Sequence, residues 1–297
     1  MSGRTRFRKR SAVAESRLLI LPAWVWYAAF FLVPIGFLVV YALGQNSTKE
    51  FFVVQFGLHA DQFQRLWDPL YVEVFKDTFI MALTGTLGCF LIGFPLAYYL
   101  ATRPKKHKML LLLLVIVPFW TSLLIRTYAW VIILNEQGPL SEGLQDLNLL
   151  ANPLNILYTS TAVWIGVVYD YLPLMVFPLY VALERIDRRL VEASRDLGAT
   201  RWSTFKSITW PLAMPGIVTG CLLTFIPMTG EYVVPEILGG AKSFLVGSLV
   251  ANEILTAVNW PFGAAIALTL TVILLVVIGL YMKIMGSRTE ETLGAAL

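Results

Sequence analysis

Long apolar runs alternate with shorter polar stretches along almost the whole chain. The first run, Leu18–Leu43, carries no charge and is long enough to cross a bilayer, which takes about 20 residues. Comparable runs at Thr78–Ala101, Met109–Leu134, Thr161–Leu183, Leu212–Leu238 and Ala264–Met285 bring the predicted spans to six. A signal peptide has a shorter apolar core than the Leu18–Leu43 run. The run reads as a retained span with Trp24, Trp26 and Tyr27 near one interface. Pro34, Pro95, Pro118, Pro173, Pro178, Pro227 and Pro235 lie inside or beside these runs and predict kinks. In lipid the carbonyls so freed need cover from protein or water. A translocation pathway and ordinary kinked packing both supply it.

One polar stretch, Val191–Pro215, has a pattern of its own. Leu190, Ala193 and Leu197 fall at helical spacing, and Arg188 and Glu192 are placed to pair four residues apart. Gly198 follows where a helix would end in a left-handed residue. Thr200 or Ser203 is placed to cap a second short helix with Trp202 and Phe205 on one side. The prediction is helix, glycine turn, helix, with Pro211 and Pro215 at the start of the next run.

Composition fixes the class. The chain is 57% hydrophobic and only 14% charged, where a soluble domain carries about a quarter charged residues. This is an all-α membrane protein of six transmembrane helices, not a globular enzyme. Cys89 and Cys221 lie inside apolar runs, so neither a disulfide framework nor a cysteine-ligated metal site is expected. His59 and His107 read as solvated loop residues. The basic residues lie next to apolar spans, which argues against a nucleic-acid partner and for membrane lipid.

Charge alternates along the chain. Residues 1–17 form a basic tail with Arg4, Arg6, Arg8, Lys9, Arg10 and Arg17. The 44–77 loop is acidic on balance: Glu50, Asp61, Asp68, Glu73 and Asp77 against Lys49, Arg65 and Lys76. Arg103, Lys105, Lys106 and Lys108 follow, then a 135–160 loop with no Lys or Arg. The 184–211 loop is basic, the connector containing Asn259-Trp-Pro-Phe-Gly is near neutral, and the 286–297 tail is short. The excess of basic residues predicts cytoplasmic termini, a cytoplasmic 184–211 loop, and periplasmic 44–77 and 135–160 loops.

Arg126, Asp170, Glu231 and Glu236 lie within or at the end of the spans, where charge is costly. At 1.5 Å per residue, the first three come roughly 10–14 Å below the outer surface. They are placed to form one net-negative cluster, with Arg126 holding one carboxylate while the site is empty. Tyr128, Trp130, Tyr169, Tyr171 and Tyr232 are near in sequence and offer faces to a cation. Arg126 could equally snorkel to the interface, and Glu236 reads as interfacial.

The loop carries a recognisable pattern: Glu192, Ala193, Ser194, three residues, Gly198, nine residues, Ile208, one residue, Trp210-Pro211. It resembles the EAA loop of ABC-importer permeases, with Ser194 in place of the second Ala and Trp210 in place of Leu. Pro118–Trp130, Gly230–Gly240 and Asn259–Ala264 are similar to segments of spermidine/putrescine permeases. The likeness covers roughly residues 70–285. It implies a type I, MetI-like importer core (78–285), which here follows the first span, in a bacterial inner (cytoplasmic) membrane. It implies that Glu192, Ala193, Ser194, Gly198, Ile208 and Pro211 dock an ATPase. It also implies an ATPase dimer, a second homologous permease and a periplasmic or lipid-anchored binding protein. The implied cargo is a polyamine; permeases for opines, other amines and ferric iron share much of the pattern.

No G-x-x-x-x-G-K-[ST] loop is present; the resemblance then implies that ATP and Mg belong to the partner ATPase, and no cofactor, metal or catalytic residue is expected in this chain. A secondary transporter would account for spans and buried charges but not for the loop spacing. No paired broken segments mark inverted repeats. A membrane-embedded enzyme would need a constellation such as H-E-x-x-H or G-x-S-x-G, and neither occurs.

Overall fold

A computed structural model describes residues 4–46, 54–55, 57, 59–240 and 244–294. Lys49, Glu50 and Ser2 lie outside the described residues. The chain divides into two compact units, residues 1–67 with 252–297, and residues 68–251.

Among the described residues, the regular elements of the larger unit are all helices. α3 (Pro69–Thr102) starts nine residues ahead of the predicted span, because Asp68 accepts from the Leu70 N–H at 3.0 Å and Pro69 suits a first helical turn. The predicted third span is not one helix. α4 (Lys105–Trp120) and α5 (Leu123–Leu134) meet at Thr121–Ser122, and the axis turns by 94°. Thr121 makes the break tolerable: its N–H and its hydroxyl both donate to the Pro118 carbonyl, at 3.2 and 2.7 Å. α6 (Pro139–Asp146) lies in the 135–160 loop. α7 (Ser160–Glu184) matches its predicted span, with Thr159 accepting from Ala162 N–H.

The loop after α7 folds as predicted. α8 (Arg188–Asp196) leads through Gly198 to α9 (Arg201–Thr204). A π-helical turn at Phe205–Thr209 runs directly into α10 (Trp210–Thr229). The wide turn suits Pro211, which has no N–H to give. The fifth span therefore begins inside the loop, as one apolar stretch from Arg201 to Thr229. It also ends early: Gly230–Tyr232 interrupts it before α11 (Val233–Gly239). α12 (Val246–Ala251) closes the unit.

α3, α7 and α10 form the core. α3 contributes small residues along one stripe, Ala82, Gly85, Cys89, Gly93 and Ala97, all buried. Close helix approach through small residues is how membrane bundles pack without water to drive them together. Val163, Val167, Met175, Val176 and Leu179 of α7 fill the facing side.

In the smaller unit, α1 (Arg4–Ala42) packs against α13 (Trp260–Gly294). Both helices extend beyond the predicted spans, α13 starting four residues earlier with Pro261 in its first turn. Tyr41 meets Trp260 edge-on at 5.7 Å, and Ala42, Ala264 and Ala265 are buried together. Strands β1 (Gln45–Asn46) and β2 (Val54–Gln55) pair antiparallel, and α2 (Asp61–Arg65) sets Arg65 4.2 Å above the Phe262 ring. His59 is half-buried with its Nδ1 enclosed, rather than solvated. Among the described residues, five helices are long and apolar enough to cross a membrane, and a sixth span results if α4 and α5 count as one.

Candidate functional site

Two regions of the larger unit hold the residues singled out in the sequence. The first is the acid–arginine cluster. α7 carries Asp170 and Tyr171 as neighbours, so their side chains leave the helix about 100° apart. Asp170 turns toward α5: Arg126 Nε lies 3.4 Å from its Oδ1, with 11% and 3% of the two side chains exposed. Arg126 does not snorkel; its guanidinium lies in the elbow of the bent span, 5.7 Å from the Phe119 ring centre.

Tyr171 turns toward the break after α10. Its hydroxyl donates to Glu231 Oε2 at 2.6 Å. The other oxygen, Oε1, accepts from the N–H groups of Val233 and Val234 at 2.9 and 3.3 Å. Glu231 thus caps α11, satisfying donors that a helix start leaves open. Asp170 and Glu231 are linked through Tyr171, the chain neighbour of the one and the hydrogen-bond partner of the other. One positive and two negative side chains are thereby collected in a buried region, as the sequence suggests. The depths counted along straight helices do not hold, because α5 leaves the axis of α4 and α10 stops short of Glu231.

The aromatic residues divide. Tyr171 belongs to the cluster, and Trp130 meets Tyr169 edge-on at 5.4 Å one helical turn from Arg126. Tyr232 and Tyr128 are exposed rather than gathered into the buried cluster, and Glu236 is exposed as expected. Sequence reading missed the brace behind the break. Thr78 of α3 accepts from Val246 N–H at 2.9 Å and fixes the start of α12. A Cβ on Gly247 would lie 2.6 Å from the carbonyl oxygens of both Gly230 and Glu231, so α12 rests directly on that backbone. Only the adjacent Gly in the sequence hints at such an approach.

The second region is the α8–α9 loop. Asp187 caps α8 by accepting from Arg189 N–H at 3.0 Å. Gly198 takes φ +83°, its N–H donates to Arg195 O, and Ala199 N–H donates to Ser194 O. This paired closure is a Schellman motif, which needs a left-handed residue at that position. Thr200, not Ser203, caps α9. Both departures from the family pattern have physical reasons. Ser194 Oγ lies 3.1 Å from the hydroxyl of buried Thr204, tying α8 to α9. Trp210 fills an aromatic cluster, 6.2, 5.9 and 6.1 Å from the rings of Phe90, Phe94 and Phe205. Phe90, Phe94 and Tyr98 recur at intervals of four on α3, a signal present in the sequence but not used.

Leu190, Ala193 and Leu197 are exposed together, leaving one apolar stripe of α8 uncovered. Glu192 is exposed and makes no pair with Arg188, whose Nη2 instead donates to the Thr102 carbonyl at 3.2 Å. A cavity of about 380 Å³ separates α8 from the ends of α3, α4 and α7. At its edge Lys108 Nζ and Glu184 Oε1 form an ion pair at 2.6 Å. Ile208 lies in the π-helical turn and Pro211 at the start of α10.

Residues 93–289 match the family described as binding-protein-dependent transport system inner membrane component. The chain is 43% identical over 249 residues to the spermidine/putrescine transport system permease protein PotB of Escherichia coli strain K12, covering 84% of this chain and 90% of that protein. It is 42% identical over 258 residues to the protein of the same name from Salmonella typhimurium, covering 87% and 89%. Among solved structures, a bacterial alginate ABC transporter in complex with a pentasaccharide-bound periplasmic protein aligns with a TM-score of 0.69 at 17% identity, over 96% of this chain and 97% of that one. At that identity the likeness concerns the fold.

Proposed function

The chain belongs to the family of binding-protein-dependent transport system inner membrane components, and we propose that it is the permease subunit of an ATP-driven importer for a polyamine such as spermidine or putrescine. The observation that carries this reading is the 43% identity to a spermidine/putrescine permease over 84% of the chain. The buried cluster supports it chemically: two carboxylates and one guanidinium leave a net negative site suited to a cation that sheds its water. Among the described residues, no other buried carboxylates occur.

In this reading a separate ATPase dimer binds ATP and Mg and seats the exposed stripe of α8. A second homologous permease completes the pathway, and a binding protein delivers the amine from the periplasm. The termini and the α8–α9 loop lie in the cytoplasm of a bacterial inner membrane. The Ser194–Thr204 hydrogen bond and the Schellman closure make α8 and α9 move together. α9 continues without interruption into α10, so a push on the loop travels to the Gly230 break and to Glu231.

The test is uptake into proteoliposomes holding this chain with its ATPase, its second permease and its binding protein. Spermidine, putrescine, an opine, a neutral diol of similar length and ferric ion form the panel. The expected result is ATP-dependent uptake of the polyamines alone. Uptake without the ATPase would make the chain a secondary transporter, and uptake confined to the opine or to iron would replace the cargo.

A further inference from the structure

Both oxygens of Asp170 and the Nε of Arg126 are buried without a hydrogen-bond partner. Glu231, in the same region, has both oxygens engaged. The Asp170–Arg126 pair is therefore an ion pair without an aligned hydrogen bond, at 3.4 Å, where a well-made guanidinium–carboxylate contact closes to about 2.8 Å. A buried carboxylate needs a neutralising charge, and this one has that charge in its weakest form.

We propose that Arg126 is a tethered stand-in for the substrate ammonium: it neutralises Asp170 while the site is empty and yields it to the arriving amine. At Asp170 the exchange is one for one: one ammonium group of the polyamine replaces one guanidinium on the same carboxylate. The displaced guanidinium keeps a partner: it already stands over the Phe119 ring, 5.7 Å from the centroid across the Thr121–Ser122 break, and an aromatic face attracts a cation. Arg126 sits on the far arm of the 94° bend, so its release loosens α5 from α7 at the level of the site. Arrival of cargo is thereby felt by the bent span, while the Trp130–Tyr169 contact keeps the two helices in register.

This inference rests on the reading of Asp170 as an amine ligand, and the experiment separates the two. Radiolabelled spermidine binding is measured on the assembled transporter in nanodiscs without its binding protein, and uptake is measured in proteoliposomes. If the stand-in occupies Asp170 about nine-tenths of the time, Arg126→Met lowers the spermidine Kd about tenfold. Uptake slows in the same variant, because nothing neutralises Asp170 after cargo leaves. Arg126→Lys keeps a cation and stays near the parental Kd. Should Arg126→Met fail to assemble, Arg126→Gln, whose amide still donates to Asp170, carries the same expectation. An assembled neutral variant that binds spermidine no tighter than the parent overturns the stand-in role. Asp170→Asn supplies the control. Parental binding in that variant removes Asp170 from the site altogether, whereas lost binding there with no tightening in Arg126→Met defeats the stand-in alone.

Discussion

At Gly198 the backbone turns with φ +83°, yet a Cβ added there would meet nothing within 4 Å. The demand is conformational rather than steric, and an L-residue held left-handed costs about 1–2 kcal/mol. Gly198→Asp should therefore leave the protein in the membrane but disturb the α8–α9 angle and release the ATPase. Normal co-purification of the ATPase with that variant would remove the coupling assignment. Glu192 is different: it is exposed on α8, near Arg188 and Arg195 at the rim of the cavity, and makes no hydrogen bond or ion pair among the described residues. Glu192→Lys should lower transport while expression stays near normal. Unchanged transport would make it an ordinary solvated residue.

Among the elements, the break between α10 and α11 decides where the acid sits. Gly247→Ala pushes a methyl group against the Gly230 and Glu231 carbonyls, and overpacking of this kind costs about 1–3 kcal/mol. Spermidine binding should weaken in that variant while ATPase co-purification is retained, because the disturbance lies far from α8 along α10. Parental binding would show that α12 is not a brace. This break also marks the limit of what the sequence discloses. Long apolar runs and the Glu192–Pro211 spacing foretell the helices and the loop, since hydrophobic length and a glycine turn are local properties. That Arg126, Asp170 and Glu231 gather is foretold because charge in lipid must be paired, but not which carboxylate Arg126 meets. The cap made by Glu231 is not foretold, because it depends on the helix stopping at Thr229 inside an apolar run that reads as continuous to Leu238. Pro118 foretells a kink near Thr121–Ser122, but not a turn of 94° that breaks the run into two helices. Hydropathy records depth and is blind to direction.

For the whole molecule, the alternating charges predict one membrane arrangement: cytoplasmic ends and a 135–160 loop on the outside. Leu149→Cys, at a position 67% exposed, and Ser2→Cys test it in a background lacking Cys89 and Cys221. An impermeant thiol reagent should label the first and not the second in cells whose outer barrier is opened. The reverse pattern would put the loop away from any cytoplasmic ATPase. The central claim, however, is that this permease passes a cation by way of buried carboxylates. The most direct measurement is spermidine uptake into proteoliposomes by the Asp170→Asn/Glu231→Gln double variant, with basal ATP hydrolysis recorded alongside. Both amides keep the shape of the site, and the Gln oxygen can still accept from Val233 and Val234. The account predicts that uptake falls at least tenfold, a loss of about 1.4 kcal/mol or more, with assembly and ATP hydrolysis intact. Uptake at the parental rate would contradict it and leave selectivity to the binding protein.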